Sequence, residues 1–470
     1  MRGLVVLVAI LALLGGAVAP VGAQPSDTER ARLQPSSDHP RYWQYGDEAV
    51  LLIGGSKEDN LFQVDSLEAH LDQLAAVGGN YVRNTMSARD EGNLWSFHRR
   101  PDGRYNLRRG NDAYFRRVER LLRQAEERNI VVQIELWDRF DFAREPWRRN
   151  PFRPANNVNY SAEQSGLAGE YPEHPSSNEN PFFRSVPAQN DNRLLLEFQE
   201  ARIERLLDVT LSFPNVLYVI DNETSANPDW GAYWARFVKE RADAAGTTVH
   251  VTEMWDDWNL RSEQHRRTLD HPGRYDYADI SQNNHNTGQE HWDNLMWVRL
   301  YTADRPWILN SVKVYGADGD RYGSTRDGLE RFWRNVLGGT AAVRFHRPSA
   351  GLGLGPTART HLRSARMLLD RYDLVAAEPG AVSRLAQRAP NEAYLSVGPG
   401  AMYAVYFPDG GAVAFPLGEG ARKTSYRVAW LDLETSSWTQ ARQVTITDRL
   451  DLDAPGPGHW IAVIEKTSSP

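Results

Sequence analysis

The chain has 470 residues, a net charge of −7 and no cysteine, and its basic residues are almost all arginine, with lysine only at positions 57, 239, 313, 423 and 466. Mild acidity and the lack of a basic stripe argue against nucleic acid or an anionic membrane as the main partner. The lack of cysteine excludes a disulfide framework, thiolate chemistry and a lipid-attachment thiol, while 15 Trp and 19 Tyr supply flat rings suited to stacking on sugar faces.

The first residues read as a secretory signal. Arg2 supplies a positive charge, Leu4 to Leu14 is nearly unbroken apolar, and Val21-Gly22-Ala23 places small residues before Gln24. Cleavage after Ala23 would send roughly 445 residues to a periplasm or the cell exterior, a length that predicts two or three domains. The apolar stretch is short for a membrane span and no second one follows, so no membrane insertion is expected after cleavage. Residues 24–38 are polar and read as a disordered lead-in.

From His39 strand and helix patterns alternate. Val50 to Gly54 is a buried strand, and Leu67, Leu71, Leu74 and Ala75 then recur at helical spacing up to Gly78-Gly79. Tyr81-Val82-Arg83 is the second strand, followed by a helix that Asn111 or Asp112 caps and that carries Tyr114, Val118, Leu121, Leu122 and Ala125 on one face. Ile130 to Ile134 is the third. Residues 138–190, rich in Asn, Pro, Ser and Phe, are too long for a connector and are expected to shape or cover a cleft. The fourth strand begins at Asn215 and ends in Asn222-Glu223; the helix after it carries Trp230, Trp234, Phe237 and Val238. Val249–Thr252, Tyr277–Ile280, Trp307–Leu309 and Ala341–Phe345 fit four more strands, the last preceded by a helix with Leu329, Phe332, Trp333 and Val336. This alternation predicts an α/β fold, a (β/α)8 TIM barrel over residues 39–373. Past Asp373 short strands are separated by turns, with Asp409-Gly410 as a hairpin signal, and residues 380–466 predict a small antiparallel β-sandwich domain.

Candidate chemistry gathers where barrel strands end. Asn222 offers an amide to a sugar hydroxyl while Glu223 offers a carboxyl to a glycosidic oxygen, and burial is expected to keep Glu223 protonated near neutral pH. Glu253, just past strand five, is the first choice for a second carboxylate, because neighbouring strands lie about 4.8 Å apart and their ends can converge. Trp255 and Trp258 beside it would form a sugar platform. Glu135, Trp137 and Asp138 follow strand three. Asn283, Asn284 and His285 lie in the amide-rich run Ser281–Asn286 after strand six, able to donate and accept at many hydroxyls. Lys313 and Tyr315 follow strand seven, and His346 sits between Arg344 and Arg347 after strand eight; with Arg83 these cations would suit an anionic saccharide such as a uronate or a sulfated sugar. Plainer readings stand beside these: Asn222 and Glu223 as caps for the helix at Asn227-Pro228, the acids ion-paired with arginine, and the amides bonded to their own loop. His285, Glu290 and His291 have a poor spacing for a metal, and no metal or cofactor is expected.

With Asn222-Glu223 after strand four, the barrel resembles clan A glycoside hydrolases. The run Trp430-Leu431-Asp432 through Ala454-Pro455-Gly456-Pro457-Gly458-His459-Trp460-Ile461 to Ile464 resembles the small sandwich labelled collagen-binding, commonly fused behind apiosidase-like barrels in secreted bacterial proteins. The resemblance implies hydrolysis of O-glycosyl bonds in an oligosaccharide or polysaccharide, with Glu223 as acid/base. In that clan the nucleophile is a Glu ending strand seven, yet Trp307 to Gly316 holds no carboxylate before Asp318. Either another residue supplies it, Glu253 first, or the barrel binds carbohydrate without chemistry. Sugar, linkage, stereochemical outcome and oligomeric state are not legible at this level.

Overall fold

A computed structural model describes residues 32–177, 180–318, 322–416, 424–446 and 448–467. The expected signal segment and the start of the lead-in lie outside these residues. The rest of the lead-in, expected to be disordered, is built into the fold. Leu33 is buried, Gln34–Pro35 pairs antiparallel with Trp43–Tyr45, and Arg32 donates to the carbonyls of Leu211 and Phe213. Polar composition hid this, because the order comes from backbone pairing and one apolar side chain.

Eight parallel strands form the barrel: β1 (Leu52–Gly55), β2 (Tyr81–Thr85), β3 (Val131–Asp138), β4 (Val216–Asn222), β5 (Val251–Thr252), β6 (Ala278–Asp279), β7 (Leu309–Val314) and β8 (Ala342–Phe345). Each is followed by a helix: α1 (Leu67–Ala75), α2 (Asp112–Glu126), α3 (Arg193–Thr210), α4 (Pro228–Ala244), α5 (Glu263–Leu269), α6 (Gly288–Tyr301), α7 (Thr325–Leu337) and α8 (Pro356–Leu369). Helix starts follow local chemistry. Asn111 accepts a bond from the Ala113 amide at α2, and Asn227 caps α4 ahead of Pro228, whose missing N–H costs nothing there.

The strand order β5-β4-β3-β2-β1-β8-β7-β6 brings β5 and β6, the two shortest strands, together at a seam. No ladder joins them. The Asp276 amide donates to the Val251 carbonyl at 2.9 Å, the Asp276 carboxylate accepts from the Val251 amide at 2.8 Å, and the Thr252 hydroxyl donates to the Tyr277 carbonyl.

The barrel is plugged at its N-terminal half by Trp43, Tyr81 and Tyr277. Trp43 donates to Asn310 at 3.1 Å, and Tyr81 to Gln133 at 2.5 Å. Above this plug lies a buried charged layer. Arg83 grips Glu135 through two bonds of 2.5 and 2.6 Å and reaches Asp59 at 2.5 Å. The long segment after β3 folds on an aromatic cluster in which Phe142, Phe152, Phe182 and Phe183 meet Trp137 and Trp230.

C-terminal to α8 the chain forms antiparallel sheets. The larger includes Tyr394–Gly398, Met402–Phe407, Trp460–Lys466 and Thr424–Asp432, and a second pairs Ala412–Pro416 with Arg449–Asp453. One face of the large sheet (Val405, Phe407, Val428, Trp430, Ile464) packs with Val413, Phe415 and Leu450 of the small one. The opposite face, with Tyr406, Leu431, Ile461 and Val463, joins the barrel's own core. Trp333 of α7 lies 6.2 Å from Tyr406, and Ser364 of α8 donates to the Leu433 carbonyl at 3.0 Å. Among the described residues no helix is long and apolar enough to cross a membrane.

Candidate active site

A pocket of about 330 Å³ opens at the C-terminal ends of the strands, where β4 delivers Asn222 and Glu223. Glu223 has φ +58°, left-handed backbone that costs a non-glycine residue about 1–3 kcal/mol. The chain leaves the strand sharply there and sends the carboxylate into the pocket. Its Oε1 accepts from Lys313 Nζ at 2.5 Å, Gln282 Nε2 at 2.9 Å and the Tyr315 hydroxyl at 3.2 Å. Lys313, whose side chain is 2 % exposed, also donates to Asn222 Oδ1 at 2.6 Å. Arg83 donates to the same oxygen at 2.8 Å, and the Asn222 amide donates to Asp138 at 3.1 Å. Asn222 is therefore fixed from three sides.

These contacts reverse the expected proton state of Glu223. Burial does push its carboxyl up, but the Lys313 ammonium, hydrogen bonds from Lys313 and Gln282, and the charge of Arg83 together hold it well below the usual carboxylate range. Glu223 is an anion. Asp256, also on the pocket wall, moves the opposite way: burial raises it, and the negative charge of Glu223 raises it further, against a hydrogen bond from Ser176. A bridge beyond the strand ends sets this pair side by side, the Thr224 amide donating to the Met254 carbonyl and the Asp256 amide to that of Thr224.

Glu253, expected as the second carboxylate, is not among the residues that line the pocket. It is buried, its Oε1 accepting from the amides of Asp221 and Met254 at 3.0 and 3.1 Å. Its other oxygen lies against Gly231 of α4, where an added Cβ would stand 2.5 Å away. Strand alternation sends this side chain outward, into the helix layer. Burial and the charge of Asp221 push its carboxyl well above the usual range, against the pull of Arg139 and of the two backbone amides it accepts from.

The remaining expectations divide. His285, Lys313, Tyr315 and His346 line the pocket with Asn222 and Glu223. Glu135 stands beneath it in the Arg83 pair, and Asp138 stands behind it, holding Arg89 and Asn222. Trp137 is core, 5.3 Å from Trp234 of α4, and Trp255 is buried with its Nε1 on the Thr268 hydroxyl. Asn283 donates to the His291 carbonyl of α6, while Asn284 bonds Ser281 and the Ser311 hydroxyl of β7, so both amides tie their loop to the neighbouring elements. Of the two tryptophans expected to form a platform, Trp258 lines the pocket, half exposed and stacked on His285 at 4.3 Å and 16°. His285 in turn lies 4.4 Å from Tyr315, and Tyr315 stacks on Tyr322 at 5.1 Å, which completes a wall of four rings.

Sequence reasoning passed over Asp59, Arg89, Phe140, His174 and Asp256 as lining residues, and did not single out Gln282 within the amide-rich run. Asp59 follows β1 and Gln282 follows β6, so the rule that strand ends carry chemistry reaches both when applied to every strand. Asp256 was in view beside Trp255, but nearness to the strand end favoured Glu253. Phe140 and His174 come from the long segment after β3, which does contribute to the cleft. Among the described residues no group of three or more His, Cys, Asp or Glu side chains is placed to hold a metal ion.

No protein-family model matches the chain, and no curated protein matches it in sequence. Solved structures match its fold. A glycoside hydrolase family 5 protein from Bacteroides vulgatus aligns with a TM-score of 0.62 at 10% identity, over 94% of each chain. A second structure, named glycoside hydrolase, gives 0.61 at 11% identity over 94% of this chain and 98% of its own. A family 5 mannosidase from Rhizomucor miehei, solved as a mutant with mannosyl-fructose, gives 0.50 at 13% identity over 74% and 99%. At such identities the likeness establishes the (β/α)8 barrel.

Proposed function

We propose that this chain is a secreted glycoside hydrolase that cleaves an oligosaccharide or polysaccharide by carboxylic acid/base catalysis. One observation carries the reading: two neighbouring carboxyl groups in a strand-end pocket have their proton affinities driven apart, which is how one site supplies both an acid and a base. Asp256 protonates the departing glycosidic oxygen. Glu223, the anion, either attacks the anomeric carbon or takes a proton from the attacking water. A carboxyl separation of about 5 Å in the substrate complex gives retention, and about 6.5–9.5 Å gives inversion. Lys313, Gln282 and Tyr315 all donate to Oε1 of Glu223, which turns Oε2 toward the substrate in this reading. The barrel fold shared with family 5 structures, the ring wall and the anchored Asn222 amide support a saccharide ligand. The signal segment, and the likeness of the C-terminal run to sandwiches carried behind apiosidase-like barrels, support an extracellular glycan.

One contact favours a second reading. Lys313 stands on the strand where the clan's nucleophile is expected and occupies Glu223 itself, as in a barrel that binds sugar without cleaving it. The test is a glycan panel incubated with the mature protein, Glu223→Gln and Asp256→Asn, with released sugars read by mass spectrometry. The hydrolase reading expects release by the wild type and a loss of at least about 10²-fold in each variant. Unchanged release by either variant removes that residue from the chemistry. Binding without release by all three proteins establishes the lectin-like barrel.

A further inference from the structure

At the end of the pocket formed by Asp59, charge is unevenly matched. Elsewhere each cation has its own carboxylate: Arg83 grips Glu135, Arg89 pairs with Asp138, and Lys313 with Glu223. Asp59 alone is left for two further guanidinium groups, Arg347 at 3.1 Å and Arg344 at 3.9 Å, and neither has another carboxylate within ion-pair distance among the described residues. Arg344 is buried and spends its donors on Ser56 and the Val312 carbonyl. Arg347 is not spent. It lines the pocket with its side chain 33 % exposed, and its Nε, itself buried, has no hydrogen-bond partner among the described residues. Arg89, 14 % exposed, lines the pocket beside it, 3.8 Å from Asp59. His346 adds no charge here, since burial and the neighbouring Arg83 and Arg344 keep it neutral against the pull of Asp59.

We propose that the saccharide bound in this pocket carries an acidic substituent, a uronate carboxylate or a sulfate ester, seated against Arg347 and Arg89. A guanidinium with free donors is a planar fork that fits two oxygens of such a group, and inside a walled pocket the pairing is weakly screened. The acidic group neutralises the unmatched charge, and the sugar ring carrying it lies between this end and the aromatic wall that Tyr315 shares, 5.2 Å from His346. The inference rests on the pocket being a saccharide site but not on cleavage.

The test presents the full mature protein with three sets of oligosaccharides of equal length: uronate, sulfated and neutral. It reads kcat/KM where cleavage occurs and Kd by calorimetry where it does not, at low and high salt. An acidic set is expected to be preferred by at least about tenfold, with the preference shrinking as salt rises. Whichever acidic set wins identifies the substituent. Arg347→Gln, checked for an unchanged melting temperature, cuts the preference by about tenfold, and Arg347→Lys restores only part of it because the charge returns without the fork. Equal or better handling of neutral sugars overturns the proposal while leaving hydrolysis intact. Selective binding of acidic sugars without cleavage upholds it and removes the hydrolase reading. Binding of none overturns both.

Discussion

Replacing Lys313 by methionine separates the two forces that act on Glu223. Without the ammonium, burial is opposed only by the Gln282 and Tyr315 hydrogen bonds and the more distant Arg83, so the carboxyl climbs. In the proposed mechanism Glu223 works ionised and Asp256 protonated, hence activity falls as pH drops through the pKa of Glu223. In the wild type that fall lies well below the ordinary value of 4.5. In Lys313→Met the acid limb of kcat/KM moves to higher pH, and an unmoved limb would show that Glu223 is not the titrating group. The alkaline limb belongs to Asp256, which must hold its proton, so activity declines as pH rises through a pKa above the aspartate value of 3.8. The position of Glu223 at the pocket was legible from its place after a buried strand. Its charge was not, because the group that sets it lies 90 residues further along the chain.

At the scale of the element, the β5–α4 packing explains why Glu253 misled. Residue type and nearness to a strand end are visible in sequence, whereas the face a side chain takes just past a two-residue strand is not. The structural role now assigned makes a prediction opposite to the catalytic one. Glu253→Gln keeps an acceptor for the Asp221 and Met254 amides, and retains both stability and any glycan cleavage. Glu253→Ala strips both amides of their acceptor and lowers unfolding free energy by about 1–3 kcal/mol in urea titration, with the pocket chemistry unchanged. Loss of turnover in Glu253→Gln at unaltered stability would return the residue to the mechanism. The longer strands and the amphipathic helices read more directly, since Tyr114, Val118, Leu121 and Leu122 repeat at the period that buries them on α2. The amide-rich run does lie after β6 at the pocket, but polarity alone does not tell Gln282, which reaches Glu223, from Asn283 and Asn284, which tie the loop to α6 and β7.

For the molecule as a whole, the C-terminal sheets are part of the barrel's packing. The large sheet gives Tyr406, Ile461 and Val463 to the same core as Trp333 and Leu362, and Arg371 reaches across to Glu465 at 2.7 Å. A chain ending at Asp373 therefore uncovers the apolar flank of α7 and α8. It is expected to unfold at least about 5 °C below the full-length protein by calorimetry, or to aggregate, and the full chain to melt in a single transition. An unchanged melting point for the shorter chain would make the sheets an independent appendage. The seam between β5 and β6 bears on the pocket. Asp256 and Trp258 follow one of these strands and Gln282 and His285 the other, and beyond the Asp276 and Thr252 bonds the two sides are joined by Asn286, which donates to the Trp258 carbonyl at 2.8 Å. The ring wall straddles that join, with Trp258 on one side and His285 on the other at 4.3 Å. The rings proposed to seat a sugar therefore also clasp the barrel where its ladder is missing.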